Sequence, residues 1–588
     1  MPTISIKRDE LFAVLKKTYT DEEFDELCFQ YGLELDEVTT EKQLAIKEHE
    51  DTKNATEQVI YKIEIPANRY DLLCLEGLSQ ALLIYLGKAT FPAYKLAART
   101  GKEQKLIVKP DTAKIRPYAV SAVLRNITFT PASYASFIEL QDKLHQNLCR
   151  KRALVAIGTH DLDTIQGPFY YDALPPSEIS FRPLNQSKEY TAVEMMELYA
   201  TDSHLKAYLH IIRDSPVYPI IKDSNGVVLS MPPIINGDHS KITLNTKNVF
   251  IEATATDIHK AIIVLDTIVT MFAQHCSPQF VIEPVDVVSP DGSTTAYPKL
   301  EWRNMQVPYE DINKKVGIKV SKGEVIELLK KMGLSTEPTP ADAIISVKIP
   351  PTRHDILHPC DLIEDAAIGY GFNNITMLLP GSLTIADQFT HNRVSDLLRR
   401  EIVAAGYSEA LTFALCSRDD IADKLRHKID TIPAVHIANP KTLEFQVART
   451  TLIPGLLKTV AGNKKMPLPL KLFEISDVVV KDPSKDVGAK NIRHFCGLYY
   501  GKTSGFEIVH GLLDRFMQLL GVRYTPNDDA GYYIKAHSDP TFFEGRCAQI
   551  ITHGRPVGVF GVLHPEVLQQ FELTNPCSIL EIDVEPFI

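Results

Sequence analysis

One run in the chain crowds acidic side chains together. After Arg353-His-Asp355 come Asp361, Glu364 and Asp365. Positions 361, 364 and 365 fall at i, i+3 and i+4, so in a helix their side chains share one face. Asp355 sits in the preceding turn and can fold back toward that face. Carboxylates held together repel one another unless a cation or an Arg/Lys neutralises them. A hard, oxygen-seeking ion such as Mg2+ suits the set. The same spacing has a second explanation, because Asp361-Leu-Ile-Glu364 is a capping-box arrangement and acids in a first turn complement the helix dipole. The residues alone leave both open.

A second group of polar residues falls at loop tips, where sites tend to lie. Lys143-Leu-His145 through Arg150-Lys151-Arg152 is basic. Ala156-Ile-Gly-Thr-His160-Asp161 ends a strand, and Asn236-Gly-Asp238-His239-Ser240 is polar but also ordinary turn chemistry. Nucleotide loops are absent. Gly497-Leu-Tyr-Tyr-Gly501-Lys-Thr has three residues between its glycines where a P-loop needs four, and Gly369-Tyr-Gly371 lacks a third glycine. No His-Glu-x-x-His or Ser/Cys nucleophile signature is found.

The elements that must position these residues span several cores. At 588 residues the chain is too long for a single one, and about three to five domains are expected. Apolar content of 44% and charged content of 23% are those of a soluble globular protein. The net charge of −11 repels nucleic acid at long range, so any RNA contact needs local basic patches or a partner. Nine cysteines, an odd number with no CxxC pair, suggest neither zinc nor a disulfide framework. The start resembles no secretory or transit peptide, and Ala261 to Ala273 is too short and carries Asp266, so no membrane span is expected. A reduced, cytoplasmic protein is the expectation.

The pattern predicts an α+β multidomain chain. Residues 1–90 read as an α/β module, with a helix from Arg8, a strand at Tyr61 and a helix from Leu75 to Leu86. Residues 91–290 alternate strands (Tyr118 to Leu124, Ala153 to Gly158, Val227 to Met231) with helices (Ala135 to Cys149, Asp257 to Ala273). Ser289-Pro-Asp-Gly-Ser-Thr-Thr reads as a connecting turn or linker. Residues 300–380 form a small helix–strand unit bearing the acidic helix. Residues 385–588 open on an amphipathic helix, Asn392 to Ala405, and continue as an antiparallel sheet with helices. Ile65-Pro-Ala-Asn-Arg69-Tyr-Asp71 also echoes Ile349-Pro-Pro-Thr-Arg353-His-Asp355. An old duplication and a convergent strand–turn–helix would both produce that match.

Four stretches together resemble the β subunit of archaeal and eukaryotic phenylalanyl-tRNA synthetases. They are Ile63 through Asp71; Leu140 to Asp161 with Asn236-Gly-Asp238; Arg353 through Gly371-Phe-Asn-Asn; and Asn439-Pro through Arg449-Thr-Thr-Leu-Ile-Pro454, Phe473-Glu-Ile, Phe543-Glu-Gly545-Arg546 and His564-Pro-Glu. Their order and spacing carry the likeness. It implies an (αβ)2 heterotetramer that charges tRNA(Phe) using ATP and Mg2+, with the synthetic site in α. Residues 385–588 would then be a class II-like core without its own active site; Glu544-Gly545-Arg546 stands where a catalytic motif could lie. The likeness implies Mg2+ on Asp355, Asp361, Glu364 and Asp365, shared with α. It also implies that the 91–290 block is an editing domain hydrolysing Tyr-tRNA(Phe), with Lys151, Arg152, His160, Asn236, Asp238 and Ser240 as candidate pocket residues. A degenerate scaffold and a free-standing deacylase are the rival readings.

Overall fold

The computed structural model describes residues 2–47, 56–101, 103–339, 342–526 and 530–588. The chain forms two compact units, Met1–Leu379 and Pro380–Ile588. The three blocks expected before residue 380 therefore make one body.

That body begins with a three-stranded antiparallel sheet. Its strands β1 (Thr3–Lys7), β2 (Glu34–Thr40) and β3 (Val59–Glu64) run in the order β1-β3-β2. The helix Asp21–Tyr31 opens on a Thr20/Glu23 capping box and closes at Gly32, whose left-handed φ of 88° suits a residue with no Cβ. It buries Phe24 against Tyr61, with ring centroids 4.9 Å apart.

An eleven-stranded mixed sheet follows. Its main strands are β4 (Lys105–Val108), β5 (Tyr118–Leu124), β6 (Val155–Asp161), β7 (Phe169–Leu174), β8 (Tyr218–Lys222), β9 (Val228–Met231), β10 (Ile235–Asn236), β11 (Val249–Ala255) and β12 (Val281–Val288). They lie in the order β10-β9-β8-β7-β4-β12-β5-β11-β6. Helices α1 (Pro131–Gln146) and α2 (Ile258–Phe272) pack at the β5-β11-β6 end. The sequence explains their starts. Thr130 caps α1 with Pro131 at its first position, and Asp257 accepts from the backbone N–H groups of His259 and Lys260 to cap α2. Both helices thus begin at Pro131 and Ile258, against expected starts at 135 and 257. Ser289 to Ser293 is a tight Asp-Gly turn that pairs β12 with Thr294–Tyr297; it ties a hairpin and is no linker.

The remainder of this unit is a three-stranded sheet, in the order Arg303–Pro308, Ile344–Ile349, Ser335–Glu337, covered by α3 (Lys322–Lys331) and α4 (Pro359–Tyr370). Gly369 lets the two helices touch, since a Cβ there would sit 2.6 Å from the Leu328 carbonyl oxygen. The second unit is built on a seven-stranded sheet, antiparallel except where Ser408–Glu409 runs parallel to Leu470–Lys481. Phe495 stacks on Phe516 of the helix Phe506–Leu519 in its core. Glu544, Gly545 and Arg546 stand exposed on a bulge of Phe542–Thr552.

Among the described residues all nine cysteines are free, and no helix is long and apolar enough to cross a membrane. One buried acid marks the packing of α2. Asp266 is 2% exposed, its Oδ1 has no hydrogen-bond partner, and its Oδ2 lies 3.9 Å from His354 Nε2. Burial pushes its carboxyl up to about 8, and burial with Arg303 nearby pushes His354 down to about 4. The folded state therefore holds a proton on Asp266 that the unfolded chain releases near the ordinary aspartate pKa. The Asp266 contribution to stability is lost as pH rises from there toward about 8, by at most about 1.4 kcal/mol per pH unit. The depressed His354 works the opposite way between about 4 and its ordinary value near 6.5, so the net fall lies above that. Asp266→Asn should remove most of that slope and raise the melting temperature at pH 8 relative to pH 5; a thermal-melt series from pH 5 to 8 with parallel curves for both proteins would refute this.

Candidate functional site

The repeated motif is repeated in structure. Arg69 N–H donates to the Pro66 carbonyl and Arg353 N–H to that of Pro350, at 3.0 and 3.1 Å. Each arginine then grips the aspartate two residues on through Nε and Nη2, at 2.9 and 2.8 Å in both copies. Two parallel N–H···O bonds per pair give the fork geometry that only Arg supplies. The copies are neighbours. A small cavity is lined by Arg69, Asp71, Arg353 and Tyr31, and Arg69 acts electrostatically on Asp355. Arg69 Nη2 also donates to the Tyr31 hydroxyl, and Arg353 Nη2 reaches Asp365 of α4 at 2.7 Å.

The same forks reach the acidic helix. Burial opposes ionisation of Asp355, yet Arg353 holds its carboxyl below the usual range. Burial pushes Asp365 up to about 6 against the pull of Arg353. The N-cap of α4 is His358, so Asp361 is its third helical residue; Asp361 Oδ2 accepts from the backbone N–H groups of Leu357 and His358 at 2.8 Å. Glu364 is exposed. Two of the four carboxylates are thus neutralised by an arginine and a third closes the helix end. Among the described residues no group of three or more His, Cys, Asp or Glu side chains is arranged to hold a metal. Of the expected Mg2+ set, Asp355 and Asp365 pair with Arg353, Asp361 closes the helix start and Glu364 stands free on the surface; the capping box spans His358 and Asp361, three residues earlier than expected.

The large sheet carries a cavity of about 660 Å3. Its walls come from α1 (Tyr134, Gln141, His145), from β6 (Ala156, Ile157, Thr159) and from Arg152, Asn236 and Glu252. Glu252 is 1% exposed in the middle of β11, where Phe250, Ile251 and Ala253 are otherwise apolar. Its Oε1 accepts from Ser230 Oγ at 2.9 Å and its Oε2 has no partner. Gly158 lies opposite it on β6, and a Cβ there would meet Glu252 Oε1 at 2.1 Å. His145 Nε2 accepts the Ile157 backbone N–H at 3.0 Å, which places its proton on Nδ1. That Nδ1–H is buried without a partner. Burial, then the charges of Arg152 and Arg116, push this imidazole well below its ordinary pKa, so it is a neutral donor. One unpaired acceptor and one unpaired donor therefore lie over the same stretch of β6.

The six expected pocket residues divide. Arg152 and Asn236 line the cavity. Arg152 Nη1 donates to the Pro233 and Ile234 carbonyls, and its guanidinium lies 4.3 Å over the Tyr208 ring. His160 is fully buried behind the wall, 2.8 Å from Ser240 Oγ and 3.9 Å from Glu252 Oε1, so this pair backs Glu252 and does not face the cavity. Asp238 accepts from Arg182, Lys241 and the Asn185 backbone N–H, which ties down a loop of the rim. Lys151 is exposed. It belongs to three successive left-handed residues, Arg150, Lys151 and Arg152, with φ of 46°, 52° and 65°. Each such residue other than glycine costs on the order of 1–2 kcal/mol.

Comparison with known proteins places this geometry. The chain matches family models described as Phe-tRNA synthetase beta subunit B1 domain over residues 1–88, B3/4 domain over 104–276, tRNA synthetase B5 domain over 305–372, and Phenylalanyl tRNA synthetase beta chain CLM domain over 375–584. It is 61% identical to the phenylalanine–tRNA ligase beta subunit of Mus musculus, with all of both chains covered. The chain belongs to the phenylalanine–tRNA ligase beta subunit family, in its eukaryotic form. The Drosophila melanogaster subunit is 60% identical and the one named cytoplasmic from Arabidopsis thaliana 51%, again over the full length of each chain. An N-terminal fragment of the Pyrococcus horikoshii β subunit aligns with a TM-score of 0.56 and 31% identity, covering 63% of this chain and 99% of the fragment.

In this β subunit the cavity falls within the B3/4 match and the twin arginines lie in the B1 and B5 matches. The residues that sequence reasoning missed are Glu252, His145 and Gly158. Glu252 left a signal, a lone carboxylate inside a strand otherwise apolar at every position but a threonine. For the arginine cluster, Arg353→Ala should cost about 3–5 kcal/mol of unfolding free energy, because it strands two buried carboxylates. Asp361→Ala should cost about 1 kcal/mol, as loss of a cap does, and Glu364→Ala less than about 0.5 kcal/mol. Denaturant titration ranks the three, and a Glu364 effect as large as that of Asp361 would overturn this ranking.

Proposed function

We propose that this β subunit works with a separate catalytic α subunit, in an (αβ)2 assembly that charges tRNA(Phe) with phenylalanine in the cytoplasm, and that its cavity hydrolyses tyrosine wrongly joined to that tRNA. The family's name for itself as a subunit supports the partner. ATP and Mg2+ belong to the partner's synthetic site on this reading. The Pro380–Ile588 unit is read as a class II-like core without its own chemistry.

The observation that carries the editing reading is the unpaired pair in the cavity wall. A phenol both donates and accepts a hydrogen bond. Glu252 Oε2 is a free acceptor and His145 Nδ1–H a free donor. A tyrosine hydroxyl that reaches either group pairs it; phenylalanine leaves both stranded, at about 1–3 kcal/mol for each buried unpaired group. A site built this way selects for the hydroxyl, whereas a mainly apolar synthetic pocket rejects an added hydroxyl only about a hundredfold. The cavity thus discriminates in the direction the synthetic site cannot. Near the ester, Arg152 and Asn236 supply polar groups to hold the carbonyl and a water.

The test uses the assembled complex with tyrosyl-tRNA(Phe). Glu252→Gln should slow deacylation by about ten- to a hundredfold, the equivalent of one lost charged hydrogen bond, while phenylalanine charging stays within twofold. Unchanged deacylation in that variant would leave the scaffold reading standing. Deacylation at the same rate by the isolated chain would favour the free-standing enzyme.

A further inference from the structure

We propose that the left-handed turn Arg150-Lys151-Arg152 is a phosphate clamp, set beside the cavity, for the 3′-terminal phosphodiesters of the RNA whose aminoacyl ester enters it. The clamp rests on the editing reading.

The chain's charge poses the problem that the turn answers. A net charge of −11 repels RNA, so a 3′ end can dwell at the cavity only where local cations hold it. An aminoacyl group on a terminal ribose that lies inside the cavity leaves the next phosphodiesters outside. Arg152 forms part of the cavity wall, so Lys151 and Arg150 are the first cations beyond it in the chain. Both are exposed, and no ion pair or side-chain hydrogen bond within the described chain engages either of them. The contrast is with Lys241, which also lines the cavity but is held, like Arg182, by Asp238. Of the carboxylates on α1, Asp142 lines the cavity and acts electrostatically on Arg152, but it forms no ion pair with Arg150 or Lys151.

Backbone conformation ties the two exposed cations to the inward one. Continuing α1 in right-handed form would carry all three residues onward along its axis. Instead the chain reverses hand, closed by Ala153 N–H to the Arg150 carbonyl and Leu154 N–H to the Cys149 carbonyl at 3.1 and 3.0 Å. Buried Leu148 and Cys149 on one side and Val155 of β6 on the other anchor the reversal. Arg152 is thereby laid along the wall over Tyr208 while Arg150 and Lys151 stay in water. Three consecutive left-handed residues without a glycine persist only when their surroundings fix them, and such strain concentrates at binding sites. A guanidinium and an ammonium presented together suit two successive phosphates on a single strand.

The experiment compares the assembled complex with an Arg150→Ala/Lys151→Ala variant, using tyrosyl-tRNA(Phe) and, separately, 3′-O-tyrosyl-adenosine, which has the ester but no phosphodiester. The clamp predicts that KM for tRNA deacylation rises about tenfold with kcat nearly unchanged. It predicts that the slope of log kcat/KM against log salt flattens by about 1.4, since each phosphate neutralised on a single strand contributes about 0.7. Hydrolysis of tyrosyl-adenosine and charging with phenylalanine should be untouched, and Arg150→Lys/Lys151→Arg should restore the wild-type KM. Unchanged KM and salt slope overturn the clamp, as does equal loss on both substrates, which would mean that the turn only shapes the cavity. A wild-type complex that leaves tyrosyl-tRNA intact overturns the editing reading and the clamp with it.

Discussion

Buried arginine–aspartate forks hold the first unit together. Arg69 and Arg353 are each almost fully withdrawn from water, and each guanidinium faces like charge from the other. Two such cations can share an interior only if carboxylates meet them at close range, which Asp71, Asp355 and Asp365 do. The geometry follows from sequence spacing: a proline turn puts the arginine's backbone N–H on a carbonyl three residues back and its aspartate two residues ahead. Once both forks are formed, the first small sheet, α3 through the Met332 carbonyl, and α4 through Asp365 are fixed to common atoms. A buried network of this kind is poor as a source of net stability and good as a specifier of one arrangement. Its acids Asp71, Asp355 and Asp365 are held by that task, while Asp361 and Glu364 lie outside it.

The cavity is governed by the opposite circumstance. There Glu252 Oε2 and His145 Nδ1 are left without partners inside the chain, which on the proposed reading leaves them to a ligand. Ser230, Ser240 and His160 hold Glu252 from behind, while a backbone N–H fixes the His145 tautomer. Both are set on rigid elements, β11 and α1, so neither has to be organised when a ligand arrives. The cost of leaving such groups unpaired in a packed interior is carried by the large sheet around them.

Much of this was legible in the chain. The helix start at Arg8, the strand Tyr118 to Leu124 and the strand expected from Val227, which begins at Val228, follow from apolar periodicity. The echo around Arg69 and Arg353 was visible as sequence, but its meaning was not. Nothing local says that residues nearly three hundred positions apart meet in space, or that Arg353 would claim two of the acids read as metal ligands. The candidate pocket residues were scattered by the fold for a related reason. Loop-tip polar residues draw attention, and Asn236 and Arg152 do line the cavity, but Asp238, Ser240 and His160 are bonded to neighbours that only the fold supplies. Glu252 lies in a strand that was not expected from the sequence, although a charge amid Val, Phe, Ile and Ala was the cue. Glycines are read as turn markers, and Gly158 is in a strand, where its role is space.

That space has a consequence for inheritance. The wall carboxylate lies where the Cβ of any other residue at 158 would be. On the proposed reading, the smallest coding change at this codon, to alanine, would push Glu252 aside without touching the arginine forks, the seven-stranded sheet or anything the partner subunit needs for charging. Accuracy and productivity would part company in a single step. Such an allele would be nearly invisible while tyrosine is scarce relative to phenylalanine. It would show itself, as substitutions scattered through the proteome, only when the ratio of the two amino acids shifts.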